Sequence, residues 1–336
     1  MYHLPTTRRP KPCMPKTTND IFMIRMATMD DLPALLNMKY STISPAQDSK
    51  VTSGRMERVL RQRILDQCLL VTVKKDKVLA CAGIDLAHPA LSEWLMPFLQ
   101  PNRAVSNRLL EAIERLAVQF GILDFSVAAS CADVSWYMSR GYIPVKDSDR
   151  GALRFEKSLR RRQTAYGRKI LAMSQELGIP QNYGQKHRLM LQVEARRLNS
   201  IGADVYGREQ KLRPGAAKAW MNLQQAASGS GISIQAVSAW RSVDYQRGLL
   251  KRKLDKGQTI DEILKVSAAP GFSEHHTGRA IDITTPGFAV LEEEFERSEA
   301  FTWMKKNASD FGFRLSFPRR NRHSLTYEPW HWCFRP

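Results

Sequence analysis

Three observations on the sequence predict an α+β protein of two domains. The chain has 336 residues, more than one hydrophobic core usually fills, because domains cluster at ~100–150 residues. Through the first half, short β-rich runs alternate with helical stripes, the order of an α/β domain. The second half sets short strand runs among longer helix windows, the order of a small antiparallel sheet with helices packed on one side. With 43% hydrophobic and 25% charged residues, the composition is that of an ordinary globular protein and excludes pervasive disorder.

Residues 1–20 are polar, carry Arg8, Arg9, Lys11 and Lys16, and lack an apolar run. They read as a flexible basic tail and not as a secretory signal. The first domain is expected over 21–160. Residues 22–26 are a short strand, and Asp30-Asp31-Leu32-Pro33 opens a helix with acids and proline at its start. The runs 69–73 and 78–85 are strands joined by the polar loop Lys74–Lys77, hence a hairpin. Another strand is expected over 93–99. Residues 108–120 place Leu109, Leu110, Ile113, Leu116 and Ala117 on one helical stripe that stops at Gly121. A strand at 125–129 and a short helix at 134–138 complete the domain.

Residues 161–204 read as a basic helical linker, with helix windows at 168–176 and 187–198 broken at Gly178 and Pro180. The second domain, 205–336, offers helices at 216–227 and 244–254, strands at 232–238 and 281–283, and a largely helical stretch over 291–310.

The formal net charge is +18. Arg154, Lys157, Arg160, Arg161, Arg162, Arg168 and Lys169 form a basic 154–169 segment containing one acid, Glu156. Such a run can take nucleic acid or an anionic polymer as partner. Without interleaved aromatics or a nucleic-acid module, the solvated-linker reading is preferred. Cysteines at 13, 68, 81, 131 and 333 are odd in number and unpaired in spacing, which fits reduced thiols. No stretch reaches the ~18 apolar residues of a membrane span. The expected location is therefore cytoplasmic, and periplasmic only if the chain is exported by another route.

Two C-terminal segments carry the chemistry, Ser273-Glu274-His275-His276-Thr277-Gly278-Arg279-Ala280-Ile281-Asp282 and Tyr327-Glu328-Pro329-Trp330-His331-Trp332. They supply imidazoles and a carboxylate as ligands, with a spare carboxylate three residues before the last histidine. That is the inventory of a catalytic zinc site, which keeps a position open for water and needs a base beside it. Cys333 is assigned to packing, and His276 to the surface or to contact with a ligand rather than to the ligand set.

These segments resemble the signature of the D-alanyl-D-alanine carboxypeptidase family of zinc peptidases, VanY type. The resembling residues are Ser273-x-His275-x-x-Gly278-x-Ala280-x-Asp282, then Glu328-x-Trp330-His331, and upstream Ser238-Ala239-Trp240-Arg241-Ser242 with Tyr245-Gln246. The resemblance implies zinc ligation by His275, Asp282 and His331, with Glu328 as general base. It further implies that Arg241 holds the oxyanion, that Ser273 helps grip the substrate's terminal carboxylate, and that Gln246 contacts substrate. Ala239 and Trp240 replace the family's Gly and Tyr, a change expected to reshape the pocket while leaving the chemistry intact.

The first domain is similar to the GNAT acetyltransferase fold, through Ile24-Arg25-Met26-Ala27-Thr28 with Asp30-Asp31 and through Trp136-Tyr137-Met138-Ser139-Arg140-Gly141-Tyr142. That resemblance implies acetyl-CoA held on bare backbone amides at a helix start. The corresponding segment here, Arg103-Ala104-Val105-Ser106-Asn107-Arg108, fills both small-residue positions, with Ser106 and Arg108. Side chains there crowd the phosphates and argue against acetyl-CoA binding, although Arg103 and Arg108 offer compensating charge. Tyr137 stands where active relatives keep a general acid, and packing is the preferred reading for it.

The expected function is zinc-dependent removal of a C-terminal D-amino acid from peptidoglycan-derived peptides, with D,D and L,D specificity both open. One alternative is a bifunctional protein whose main activity is N-acetyl transfer from acetyl-CoA. The other is a non-catalytic binder of cell-wall fragments, against which Glu328 argues, since a binder needs no base beside a metal.

Overall fold

The computed structural model describes residues 22–38, 53–86, 103–129, 134–146 and 153–336. The expected tail at 1–20 and the expected strand at 93–99 lie outside these residues.

The first half carries two three-stranded antiparallel sheets. In one, β1 (Met23–Met26), β2 (Leu69–Lys74) and β3 (Lys77–Gly83) lie in that order; in the other, β4 (Asp124–Ala129) and β5 (Ile143–Lys146) flank β6 (Leu153–Ser158). Lys75 and Asp76 join β2 to β3 with φ of 46° and 60°, the positive values that a two-residue type I′ hairpin loop requires. Helices α1 (Leu32–Leu36), α2 (Ser53–Leu65), α3 (Arg103–Gln119) and α4 (Val134–Met138) accompany them among the described residues. The stripe Leu109, Leu110, Ile113, Leu116 and Ala117 on α3 is buried with Phe125, Val127 and Phe155, as its spacing predicts. The helix starts at Arg103, five residues before the predicted start at 108.

Carboxylates hold most of the basic segment in place. Buried Glu114 of α3 meets Lys157 at 2.9 Å and Arg162 at 2.5 Å, and Arg154 pairs with Glu156, Arg160 with Asp124 and Lys169 with Asp244. Five of its seven cations are thus paired with carboxylates of the chain itself, two of them with buried Glu114.

The linker is less helical than its composition suggests. Helices α5 (Ala165–Glu176), capped by Thr164, and α6 (Tyr183–Lys186) form, but the helix expected over 187–198 is absent. The backbone donors of that stretch go to other segments: Leu191 N–H to Gln119, Gln192 to Gly271 and Ala195 to His276. Strand-like lacing between the two halves wins over local propensity. A hairpin of β7 (Asn199–Ala203) and β8 (Glu209–Leu212) then runs across the expected boundary at 204/205.

In the second half, four antiparallel strands lie in the order β11 (Phe313–Leu315), β12 (His331–Phe334), β10 (Ala280–Thr284) and β9 (Gln235–Ser238). The helices are α7 (Pro214–Gly229), with proline in its first turn, α8 (Val243–Asp255), α9 (Ile260–Val266) and α10 (Glu299–Asn307). Side chains of Ser242, Thr259 and Ser298 cap the last three. Trp220 and Leu223 of α7 and Met304 of α10 share a core with Ile281 and Ile283 of β10. Strand alternation therefore turns Asp282 to the opposite face of the sheet.

Gly278 sits at φ 65°, and a Cβ built there would lie 2.9 Å from Arg213 Cγ and 3.0 Å from Leu198 Cδ2. Gly278→Ala is expected to cost ~1–3 kcal/mol, the scale of a non-glycine residue forced into a left-handed conformation. Urea denaturation checks this through a lowered midpoint at unchanged m; an unchanged midpoint would show that the loop gives way freely.

Candidate metal and catalytic site

Asp282 on β10 and His331 on β12 are direct cross-strand partners, so the register alone sets these side chains next to each other. His275 comes from a 3-10 turn, Glu274–Thr277, that Gly278 terminates. One donor atom from each of the three residues lies within 4.8 Å of the others, and all three residues are buried.

The histidines are oriented before any cation is considered. His275 Nδ1 lies 2.5 Å from the Ala239 carbonyl oxygen, so Nδ1–H donates and the Nε2 lone pair faces Asp282. Nε2 is 3.1 Å from Asp282 Oδ2 but out of line for a hydrogen bond, and it has no hydrogen-bond partner. A buried acceptor without a partner is costly and calls for an explanation; a cation bound at that point supplies one. Burial, reinforced by Arg241, lowers His275 to about 4 and keeps the ring in the neutral form a metal needs. Burial by itself would raise Asp282, but its contacts with His275 and His331 hold it well below the usual carboxylate range.

His331 is clamped from both sides. Its Nδ1 is 2.9 Å from Asp282 Oδ1 and its Nε2 is 3.1 Å from Glu274 Oε2. Burial would lower it, yet the two carboxylates raise it to about 10. Glu274 is itself held by Ser316 Oγ at 2.5 Å and Arg335 Nη2 at 2.6 Å. A carboxylate on the far nitrogen of a ligating imidazole fixes the ring and raises its basicity. The residues present thus fit a divalent cation: two imidazoles, one carboxylate and an acceptor left without a partner.

Glu328, Pro329, Trp330 and His331 form a turn closed by His331 N–H donating to the Glu328 carbonyl at 3.1 Å, with proline at the favoured second position. The turn leaves Glu328 Oε2 3.8 Å from His331 Nδ1. Burial, with Asp282 and Glu274 adding to it, pushes the Glu328 carboxyl up to about 7, the range suited to a general base near neutral pH. Arg241 reaches the same point from the segment after β9, with Nη2 3.6 Å from Asp282 Oδ2.

Sequence reasoning brought His275, Asp282, His331, Glu328 and Arg241 to one point, and the structure gathers them there. Ser273 is buried at the head of the ligand turn. Gln246 is also buried, but its amide is spent: Oε1 accepts from Arg241 Nη1 at 3.3 Å and Nε2 donates to the Ala268 carbonyl at 2.8 Å. It therefore steadies Arg241. His276 is not on the surface. It is fully buried, with Nδ1 2.7 Å from the Arg241 carbonyl oxygen and Nε2 accepting from Gly271 N–H, and so it ties the ligand turn to the arginine segment. Cys333 is buried and free, on β12. Sequence reasoning missed Glu274, Ser316 and Arg335; the only signal was that Glu274 stands beside the first ligand.

In the first half, Ser106 and Arg108 lie in the opening turns of α3. The Arg108 guanidinium sits 5.1 Å from the Phe22 ring centroid, and the Arg103 side chain is outside the described residues. Tyr137 is buried between Trp136, Tyr142 and Phe155, at centroid distances of 4.8, 5.4 and 5.3 Å.

The arrangement sets buried imidazole and carboxylate donors, a carboxyl raised toward neutrality and an arginine at one point of an antiparallel sheet. Residues 209–336 match the family model VanY, D-alanyl-D-alanine carboxypeptidase. The chain is 36% identical over 126 residues to the putative carboxypeptidase YodJ of Bacillus subtilis, covering 36% of this chain and 45% of that protein. It is 31% identical over 139 residues to the bifunctional D-Ala-D-Ala dipeptidase and D-Ala-D-Ala carboxypeptidase VanXYC of Enterococcus gallinarum, covering 39% of this chain and 68% of that protein. The chain belongs to the VanY D-alanyl-D-alanine carboxypeptidase family through its C-terminal part, and it spans less than half the length of the Bacillus relative. The N-terminal half is acetyltransferase-like. Over 123 residues the chain is 30% identical to the amino-acid acetyltransferase of Pasteurella multocida, covering 35% of this chain and 26% of that protein.

With Ser106 and Arg108 at the start of α3, acetyl-CoA is expected to bind more weakly than a Kd of about 1 μM, or about −8 kcal/mol. Titration calorimetry measures this directly, and a tighter constant would mean that the helix start accommodates the phosphates.

Proposed function

We propose that this protein is a zinc carboxypeptidase that removes a C-terminal D-amino acid from peptidoglycan-type peptides. The observation that carries the reading is the convergence of His275, Asp282 and His331, with one buried lone pair left unpartnered and Glu328 beside them. Imidazole and carboxylate donors suit zinc, whereas Cys333 belongs to the strand's packing. Held by these three residues, zinc supplies Lewis acidity and lowers the pKa of water to about 7.

The chain's own residues do the rest. Glu328 takes the proton of the attacking water and passes it to the departing amine, which a carboxyl near 7 can do in both directions. Arg241 presents a charged fork to the oxygen that becomes negative in the tetrahedral intermediate. Gln246 holds one arm of that fork in place. Ser273, at the head of the ligand turn, takes part in gripping the terminal carboxylate of the substrate. Glu274 keeps His331 in its ligating orientation.

Metal analysis of the purified protein is expected to give one zinc per chain, lost in His275→Ala and Asp282→Ala; full occupancy in both variants would refute the ligand set. Glu328→Gln keeps shape but cannot accept a proton. Zinc content should therefore be retained while release of D-alanine from a D-Ala-terminated peptide falls at least ~100-fold in kcat, the lower end of a general-base contribution. Arg241→Lys retains charge without the fork and should lose ~10²–10³ in kcat with a smaller rise in KM. Hydrolysis by Glu328→Gln at the parental rate would sink the mechanism.

A further inference from the structure

On the side of Glu274 away from His331 lies a cavity of about 230 Å³. Three parts of the chain build it: Asp66 from the segment after α2, Arg188 from the linker, and Glu274, Arg279, Arg322 and Arg335 from the second half. Four guanidinium groups face two carboxylates, so two positive charges stand in excess. The carboxylates are already engaged, Asp66 with Arg188 at 3.5 Å and Glu274 with Arg335 at 2.6 Å. Arg279 and Arg322 have no carboxylate partner among the described residues. Arg322 is partly buried, and among the described residues its side chain makes one hydrogen bond, from Nε to His323 Nε2 at 3.2 Å. His323 adds no charge near neutral pH, since burial lowers it. Burial likewise lowers Arg322, against the more distant pull of Asp66 and Glu274, which are already paired with other arginines.

We propose that this cavity is a binding site for a phosphate-type dianion, either free phosphate or the phosphoryl group of a small phosphate monoester. Its volume is below the ~300–1,000 Å³ of pockets for drug-sized ligands, which fits one oxyanion with its waters. Planar guanidinium forks match the oxygens of such an anion and are less strongly hydrated than ammonium groups. An excess of two charges matches a dianion better than a monocarboxylate. The anion would join the two halves of the chain, because its partners come from both.

The test is titration calorimetry of the full chain with inorganic phosphate, with phenyl phosphate and with acetate, at constant ionic strength. The expected result is one saturable site per chain for phosphate, with a Kd on the order of 1 mM or tighter. Arg322→Gln and Arg279→Gln should each weaken it at least tenfold. Because Arg279 is exposed, its variant keeps the test conclusive should Arg322→Gln fail to fold. Arg161→Gln, in the basic segment, controls for diffuse attraction to a cationic protein and should change nothing. Equal or tighter binding of phenyl phosphate would assign the site to a phosphoryl group on a larger molecule, and its exclusion would assign the site to the free ion. Unsaturable heats, an equal loss in Arg161→Gln, or acetate bound as tightly as phosphate would overturn the proposal.

Discussion

The pairing of β10 with β12 is the constraint on which the site depends. Asp282 and His331 stand opposite each other across that pair, and a slip of one residue would turn both side chains into the core that Ile281 and Trp332 fill. The apolar face thus enforces the register, and the register delivers two of the three donors. β10 is buried along its whole length, so its hydrogen-bond ladder has no solvent alternative. The third donor needs a different device, a tight turn ended by a left-handed glycine that neighbouring side chains crowd.

Around this frame, the electrostatics is a chain of paired charges. Arg335 holds Glu274, Glu274 holds His331, His331 meets Asp282, and Asp282 lies near Arg241. Every link but the exposed Arg335 is buried or half-buried, where an unpaired charge is expensive. Such a chain leaves little freedom at these side chains: His275 is held neutral, Asp282 ionised, and the His331 imidazole is made strongly basic, so that a cation bound there would take the place of its proton. Glu328 is the exception. No hydrogen bond holds its carboxylate among the described residues, burial raises it, and it is left able to exchange a proton near neutral pH.

The two halves are in contact through backbone as well as charge. The stretch 187–198 donates to Gln119 on one side and to Gly271 and His276 on the other, so the segment that flanks the ligand turn is also fastened to the acetyltransferase-like half. Glu114 binds the linker through Arg162. These contacts explain why the stretch is not helical despite its composition: several of its N–H groups have partners outside it.

The sequence by itself singled out His275, Asp282, His331, Glu328 and Arg241, because these residues stand in short motifs whose spacing survives without coordinates. It also determined the strands and helices whose apolar period is strong, such as α3, α7 and the β2–β3 hairpin. Tertiary structure alone decided what holds these side chains in place. The carbonyl of Ala239 on His275, Glu274 on His331, and His276 on the Arg241 backbone join residues up to 57 positions apart, and no local pattern encodes such pairings. It decided the conformation of 187–198 for the same reason, since hydrogen bonds to remote partners outweigh a propensity of a few tenths of a kcal/mol per residue, roughly. The cationic cavity behind Glu274 belongs to this second class: its arginines are scattered from 188 to 335 and become neighbours only once the sheet and the linker have folded against each other.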